Sequence, residues 1–240
     1  MSTAMPETGD QSEPLALPPA ALPANVPLER LAEAAQYAVL RRVIPMLRHD
    51  LAGTIQPISM IVMVLQRRLQ SAEPDLQGIS KSITSISALT REAMDGCMNA
   101  MSWLAPLEDT VTRLQTGVDE IGKLLAIELS SRGLAPVNEV PLGTVHAPQK
   151  FFRNLVAGAL LAFCDQTVGG KELRISHARA GADDILNLRL MPDDAAEPSE
   201  DVHQRRTISW SDVQAMADSG GVKFTRVRGW VTLSVPVARV

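Results

Sequence analysis

Leu47-Arg48-His49-Asp50-Leu51 sits in a run where Leu40, Ile44, Leu47, Leu51, Ile55, Ile58, Val62, Leu65 and Leu69 recur at steps of three and four. That spacing keeps the apolar side chains on one side of a helix for about eight turns. With Leu47 at heptad position d and Leu51 at a, His49 falls at f, diametrically away from the seam. The pattern buries leucines and holds an imidazole out in water beside a carboxylate.

An exposed helical histidine is commonly no more than a solvated polar residue. Three features set this one apart. Asp50 adjoins it and is placed to orient or deprotonate the ring, so that a neutral nitrogen can act as nucleophile. Gly53, one turn on and on the same face, costs a helix about 1 kcal/mol relative to alanine, which makes sense where something must approach closely. Pro45 and Pro57 lie four residues before and eight after the histidine, and each removes a backbone donor and tends to bend a helix. Whether Pro45 splits the helix is left open by the sequence.

Working outward, the helix starts near Pro27 or Leu28, with proline tolerated in the first turn, and runs to about Gln70. Unbroken, it would be about 65 Å long. Residues 1–26 are rich in Pro, Ala, Ser and acidic side chains with no helical or strand period, and are expected to be disordered. After a turn at 71–75, Ile79, Ile83, Ile86, Ala93, Cys97 and Ala100 mark one face of a second helix, to about Trp103. The short connection makes the pair an antiparallel hairpin, residues 27–104. One-sided apolar stripes are poorly buried in a lone hairpin, so a two-fold partner completing a four-helix bundle is expected. The competing arrangement packs the hairpin against the chain's own C-terminal half.

Leu104-Ala-Pro-Leu107 reads as a hinge, and residues 108–240 have mixed α and β character. The periodicity predicts a helix over Val118–Ser131 stopped by Gly133, a strand over Leu134–Val140, and a helix opened by Pro148. Two paired strands (Leu173–His177 and Asp184–Leu190) follow, then a polar loop from Asp193 to Arg206. A helix over Ser209–Ser219 and a hairpin from Val222–Thr225 and Gly229–Val237 close the chain. That order predicts an antiparallel or mixed sheet with helices on one face, an α/β sandwich, and an α+β protein as a whole.

With 240 residues the chain is long enough for two small domains, and its net charge of −4 with mixed signs points away from a nucleic-acid surface. Cys97 and Cys164 lack metal-ligand spacing and read as reduced core thiols. No apolar run reaches ~18 residues and no signal-peptide pattern opens the chain, so no membrane span and a cytoplasmic location are expected. His146, His177 and His203 fall on different elements, without metal or triad spacing, and read as structural or surface residues.

From about residue 28 the chain resembles the bacterial histidine-kinase family. His49-Asp50-Leu51 resembles the phosphoacceptor box of its dimerisation and phosphotransfer hairpin. Phe152-Arg153-Asn154-Leu155-Val156-Ala157-Gly158-Ala159 falls where the N box of its ATP-binding domain would be, and Gly229-Trp230-Val231-Thr232-Leu233-Ser234-Val235-Pro236 resembles its closing strand. The departures matter more. The family's magnesium-holding asparagine is here Gly158, which has no oxygen to offer a hard cation. The expected glycine-rich adenine turn reads Met191-Pro-Asp-Asp-Ala-Ala-Glu-Pro198, without a glycine. A second glycine box and a long lid are missing too, and phosphoryl transfer from ATP depends on such positioning and charge neutralisation.

The resemblance therefore implies a dimeric histidine phosphotransferase with a degenerate ATP-binding domain, relaying phosphate between receiver-domain aspartates. His49 would be the nucleophile and Asp50 its orienting or activating group, with Arg48, Gly53 and Gln56 at the docking surface. No cofactor is expected on this chain, because magnesium would belong to the partner receiver. The expected partners are a second copy, response-regulator receivers and a hybrid histidine kinase. The family often carries Thr or Asn where Gly53 stands, so phosphatase activity is not implied. The competing class is a non-catalytic pseudokinase regulator that binds a kinase or a response regulator, for which His49 would be dispensable.

Overall fold

The computed structural model describes residues 26–73, 75–104, 110–143, 145–166, 172–180, 183–191, 207–227 and 230–235. Two long helices, α1 (Leu28–Leu69) and α2 (Leu76–Leu104), form the antiparallel hairpin. Neither proline splits α1, which runs through Pro45 and Pro57 as one helix of 42 residues. Asp75 starts α2 by accepting the Gly78 amide at 3.0 Å, satisfying a backbone donor that the first turn leaves unpaired.

The remainder is an α/β sandwich. Its elements are β1 (Val111–Arg113), α3 (Leu114–Leu124), α4 (Ala126–Ser130), β2 (Ala135–Asn138), β3 (His146–Pro148), α5 (Gln149–Gln166), β4 (Glu172–Ala180), β5 (Asp183–Met191), α6 (Trp210–Ser219), β6 (Lys223–Val227) and β7 (Trp230–Val235). The main sheet has the order β2-β4-β5-β7-β6, antiparallel except for the parallel β2–β4 pair. β1 and β3 pair as a separate two-stranded ribbon. Strand alternation puts Leu173, Ile175, Leu186, Leu188, Val231 and Leu233 on the buried face, against Ile121, Phe152, Leu160 and Val213 of the helices. Arg174, Arg189 and Trp230, in one cross-strand row, lie on the opposite face. Ser209 caps α6 in a reciprocal box with Asp212.

The expected α+β class, hairpin and mixed sheet are all present. The helix expected over Val118–Ser131 differs: it starts at Leu114, directly after β1, and breaks at Leu125 into α3 and α4. β1 and β3 were not expected, because three-residue strands are too short to show an alternating period. The N-terminal segment through residue 25, residues 105–107 of the hinge and residues 192–206 lie outside the described residues. Among the described residues no helix is long and apolar enough to cross a membrane.

The core does not stop at the sandwich. The N-terminal half of α1 buries Ala32, Ala35, Ala38, Val39, Arg42 and Val43, and α1 packs on α5 and α6 as well as on α2. Beyond Leu47 no residue of α1 is buried, and its apolar side chains are half-buried or exposed. Helix α1 therefore serves two neighbours, the sandwich at its base and α2 along its upper half.

Candidate functional site

His49 lies where the helix emerges from beside the sandwich. Its side chain is 72% exposed and that of Asp50 64%, with His49 Nδ1 3.6 Å from Asp50 Oδ1. That separation is beyond a hydrogen bond but within electrostatic reach. Arg48 and Gln56 are exposed on the same stretch. Around Gly53 a Cβ would meet nothing within 4 Å, so internal packing does not demand a glycine there. The Thr54 hydroxyl, half-buried, donates back to the Leu51 carbonyl at 3.0 Å. From behind, Gly96 of α2 admits Leu51, whose Cδ2 would lie 2.9 Å from a Cβ at that position. The five residues picked out of the sequence (Arg48, His49, Asp50, Gly53 and Gln56) thus share one stretch of exposed helix.

The segment resembling an N box lies on α5, deep in the core, with Phe152, Leu155, Val156, Ala157 and Ala159 all buried. A Cβ at Gly158 would stand 2.5 Å from Met216 Cε of α6 and 3.4 Å from Val39 Cγ2 of α1. The space a magnesium-binding side chain would need is therefore filled by apolar groups from two other helices. These residues do not fit a nucleotide–magnesium complex held from Gly158. A surface depression of about 220 Å³ lies instead between α3 and β2, where Asn138 Nδ2 donates to Asp119 Oδ1 at 2.8 Å.

Two ionic clusters escaped the sequence reading. Arg42 is 3% exposed and grips the carboxylate of Asp165, whose side chain is fully buried, with both terminal nitrogens, Nη1 at 2.8 Å and Nη2 at 3.2 Å. It also contacts the Glu128 carboxylate. Burial by itself would weaken the guanidinium's hold on its proton, but Asp165 and Glu128 outweigh it and raise its pKa above the ordinary arginine value. Asp165 further accepts the Ile208 amide at 2.7 Å, fixing the chain just before α6. At the end of α2, Arg153 of α5 donates to Ser102 Oγ at 2.6 Å, bonds Glu120 of α3 at 3.1 Å, and lies 5.6 Å from the centroid of the Trp103 ring. The sequence signal was an arginine in phase with Ala35, Ala38 and Val39.

His177, read as structural or surface, is a structural partner: its Nε2 lies 2.7 Å from Asp184 Oδ1 across the β4–β5 hairpin. Cys164 is buried, and burial pushes its thiol up to about 12, whereas Cys97 is exposed rather than a core thiol. Among the described residues no group of three or more His, Cys, Asp or Glu is arranged to hold a metal ion.

No family profile matches the chain, and no curated protein sequence does. Solved structures do resemble it. The Acinetobacter baumannii histidine kinase AdeS is 14% identical, over 76% of this chain and 96% of that one, with a TM-score of 0.40. The catalytic domain of the histidine kinase ThkA is 14% identical over 54% of this chain and 96% of its own, with a TM-score of 0.40. The Erythrobacter litoralis EL346 blue-light activated histidine kinase is 14% identical over 75% of this chain and 63% of its own, with a TM-score of 0.41. It is to structures of histidine kinases that this chain is similar.

Proposed function

We propose that the protein is a histidine phosphotransferase of a two-component phosphorelay, taking phosphate from one receiver aspartate and giving it to another. The observation that carries this is the imidazole of His49, 72% exposed on an unbroken helix with Asp50 Oδ1 3.6 Å from its Nδ1. In the forward step Nε2 attacks the phosphorus of an aspartyl phosphate. The N–P bond forms, the P–O bond to the receiver breaks, and the receiver carboxylate leaves. Asp50, beside the ring, balances the positive charge that builds on it. The second receiver's carboxylate then reverses the step. The magnesium of such reactions sits on the receiver, so none is required of this chain.

ATP has no part in this reading. Gly158 offers no ligand, and Met216 and Val39 occupy the space beside it. The hairpin is proposed to dimerise, because Ile55, Val62 and Leu69 of α1 and Ile83, Met94, Met98 and Met101 of α2 are left exposed.

Incubation with a radiolabelled phospho-receiver tests the proposal. Label should move to the wild type, and His49→Ala should take none while keeping its helical content, since an exposed helical site tolerates alanine. Asp50→Asn should slow transfer by about tenfold to a thousandfold. Label on the alanine variant would exclude His49 as the acceptor. An alanine variant that still regulates its pathway would leave the non-catalytic regulator as the function.

A further inference from the structure

Each hairpin helix is tied to the sandwich by its own buried arginine. On α1 the tie is Arg42, whose fork holds Asp165 of α5 at 2.8 and 3.2 Å and whose guanidinium also contacts Glu128 of α4. On α2 it is the Ser102–Trp103 end, held by Arg153 of α5 at 2.6 Å from Ser102 Oγ and 5.6 Å from the Trp103 ring centroid. Both guanidiniums are buried, at 3% and 9% side-chain exposure. Between the two ties the contact is apolar and close, with Val39 and Met216 meeting over Gly158. Separating the two parts would break the ion pair between Arg42 and the Asp165 carboxylate, whose side chain is fully buried in the joined arrangement.

We propose that Arg42 and Arg153 form a two-point latch that makes hairpin and sandwich one rigid body, with the sandwich fixed beside His49 and unable to swing toward it. Arg42 precedes His49 by seven residues on a continuous helix. It therefore lies on nearly the same face, about 10 Å down the axis. A bidentate fork resists rotation about the contact, where a single point charge would allow it. Two such anchors on different helices remove the remaining hinge. The latch does not depend on whether His49 carries phosphate.

Electron-spin distance measurements on the full chain test it, with labels at Gln70→Cys near the hairpin tip and Thr225→Cys on β6, in a Cys97→Ser background. The otherwise wild-type chain should give one narrow distance distribution. Arg42→Lys, which keeps the charge but not the fork, should broaden it or add a second population while the circular dichroism spectrum stays unchanged. Arg153→Lys should do the same to a smaller extent. A broad or multiple distribution in the otherwise wild-type chain would overturn the latch. A narrow distribution that survives Arg42→Lys would also overturn it, by showing that the guanidinium fork does not set the arrangement, and one that survives Arg42→Ala would show that apolar packing alone does. Should Arg42→Ala fail to fold, the otherwise wild-type and lysine measurements still decide.

Discussion

At the scale of single residues, Gly53 separates packing from function more cleanly than His49 does. Most glycines in a helix interface are explained by a neighbour. Gly96, for example, leaves room for Leu51, and Gly220 lies against the Phe151 ring. Gly53 has no such neighbour, and a Cβ there would stand in open space. Alanine at this position should therefore stabilise the chain by about 0.5–1 kcal/mol, through helix propensity alone. If the surface around His49 receives a partner, Gly53→Leu should block phosphate transfer from a receiver although it removes no reactive atom, and it should leave the urea midpoint at or above wild type. Urea titration alongside labelling distinguishes the two effects. A leucine variant that transfers at the wild-type rate would show that partners do not approach this face closely.

At the scale of elements, α5 explains why a familiar-looking segment does unfamiliar work. Most of its residues 152–159 are buried in the core, and at Gly158 side chains of α6 and α1 close over α5. Gly158→Asn, which restores the side chain that the sequence resemblance assigns to metal binding, should therefore not restore a nucleotide site. It should instead press on Met216 and Val39 and bury an amide without partners, destabilising the chain by roughly 2–5 kcal/mol. A denaturant melt measures the loss, and calorimetry with Mg-ATP should show no binding. A variant that is stable and binds ATP would mean that α6 readily moves aside. Such crowding is invisible in sequence, because Met216 and Val39 are 58 and 119 residues away from Gly158. The local features were legible for a matching reason. Arg48, His49, Asp50, Gly53 and Gln56 fall within nine residues of one periodic helix, so phase alone brings them together. Arg42 and Asp165 are 123 residues apart, and a stripe of alanines gives little hydrophobic signal that α1 has a second buried face. The break at Leu125 was equally hidden, since neither Gly nor Pro marks it.

At the scale of the molecule, the two faces of the hairpin are unequally covered. Up to Leu47 α1 has buried residues, whereas beyond it none of the described residues of α1 is buried. Val62 is then 36% exposed, Ile55 49% and Leu69 56%, at successive heptad positions and so on one line along the helix. Antiparallel α2 adds Ile83, Met94, Met98 and Met101, spaced so that they also share a face. An apolar surface of this length is uncommon on a monomer and matches half of a four-helix bundle. A two-fold axis would close such a seam on a second copy of the chain. Ile55→Asp makes the case testable. In a monomer this exposed position should accept the charge within about 0.5 kcal/mol. In a dimer it would place two like charges near one another in a desolvated core. Sedimentation equilibrium should therefore give a dimer for the wild type at tens of micromolar and a monomer for Ile55→Asp, with similar helical content in both. A monomeric wild type would sink the dimer and leave the exposed seam for a different protein to cover.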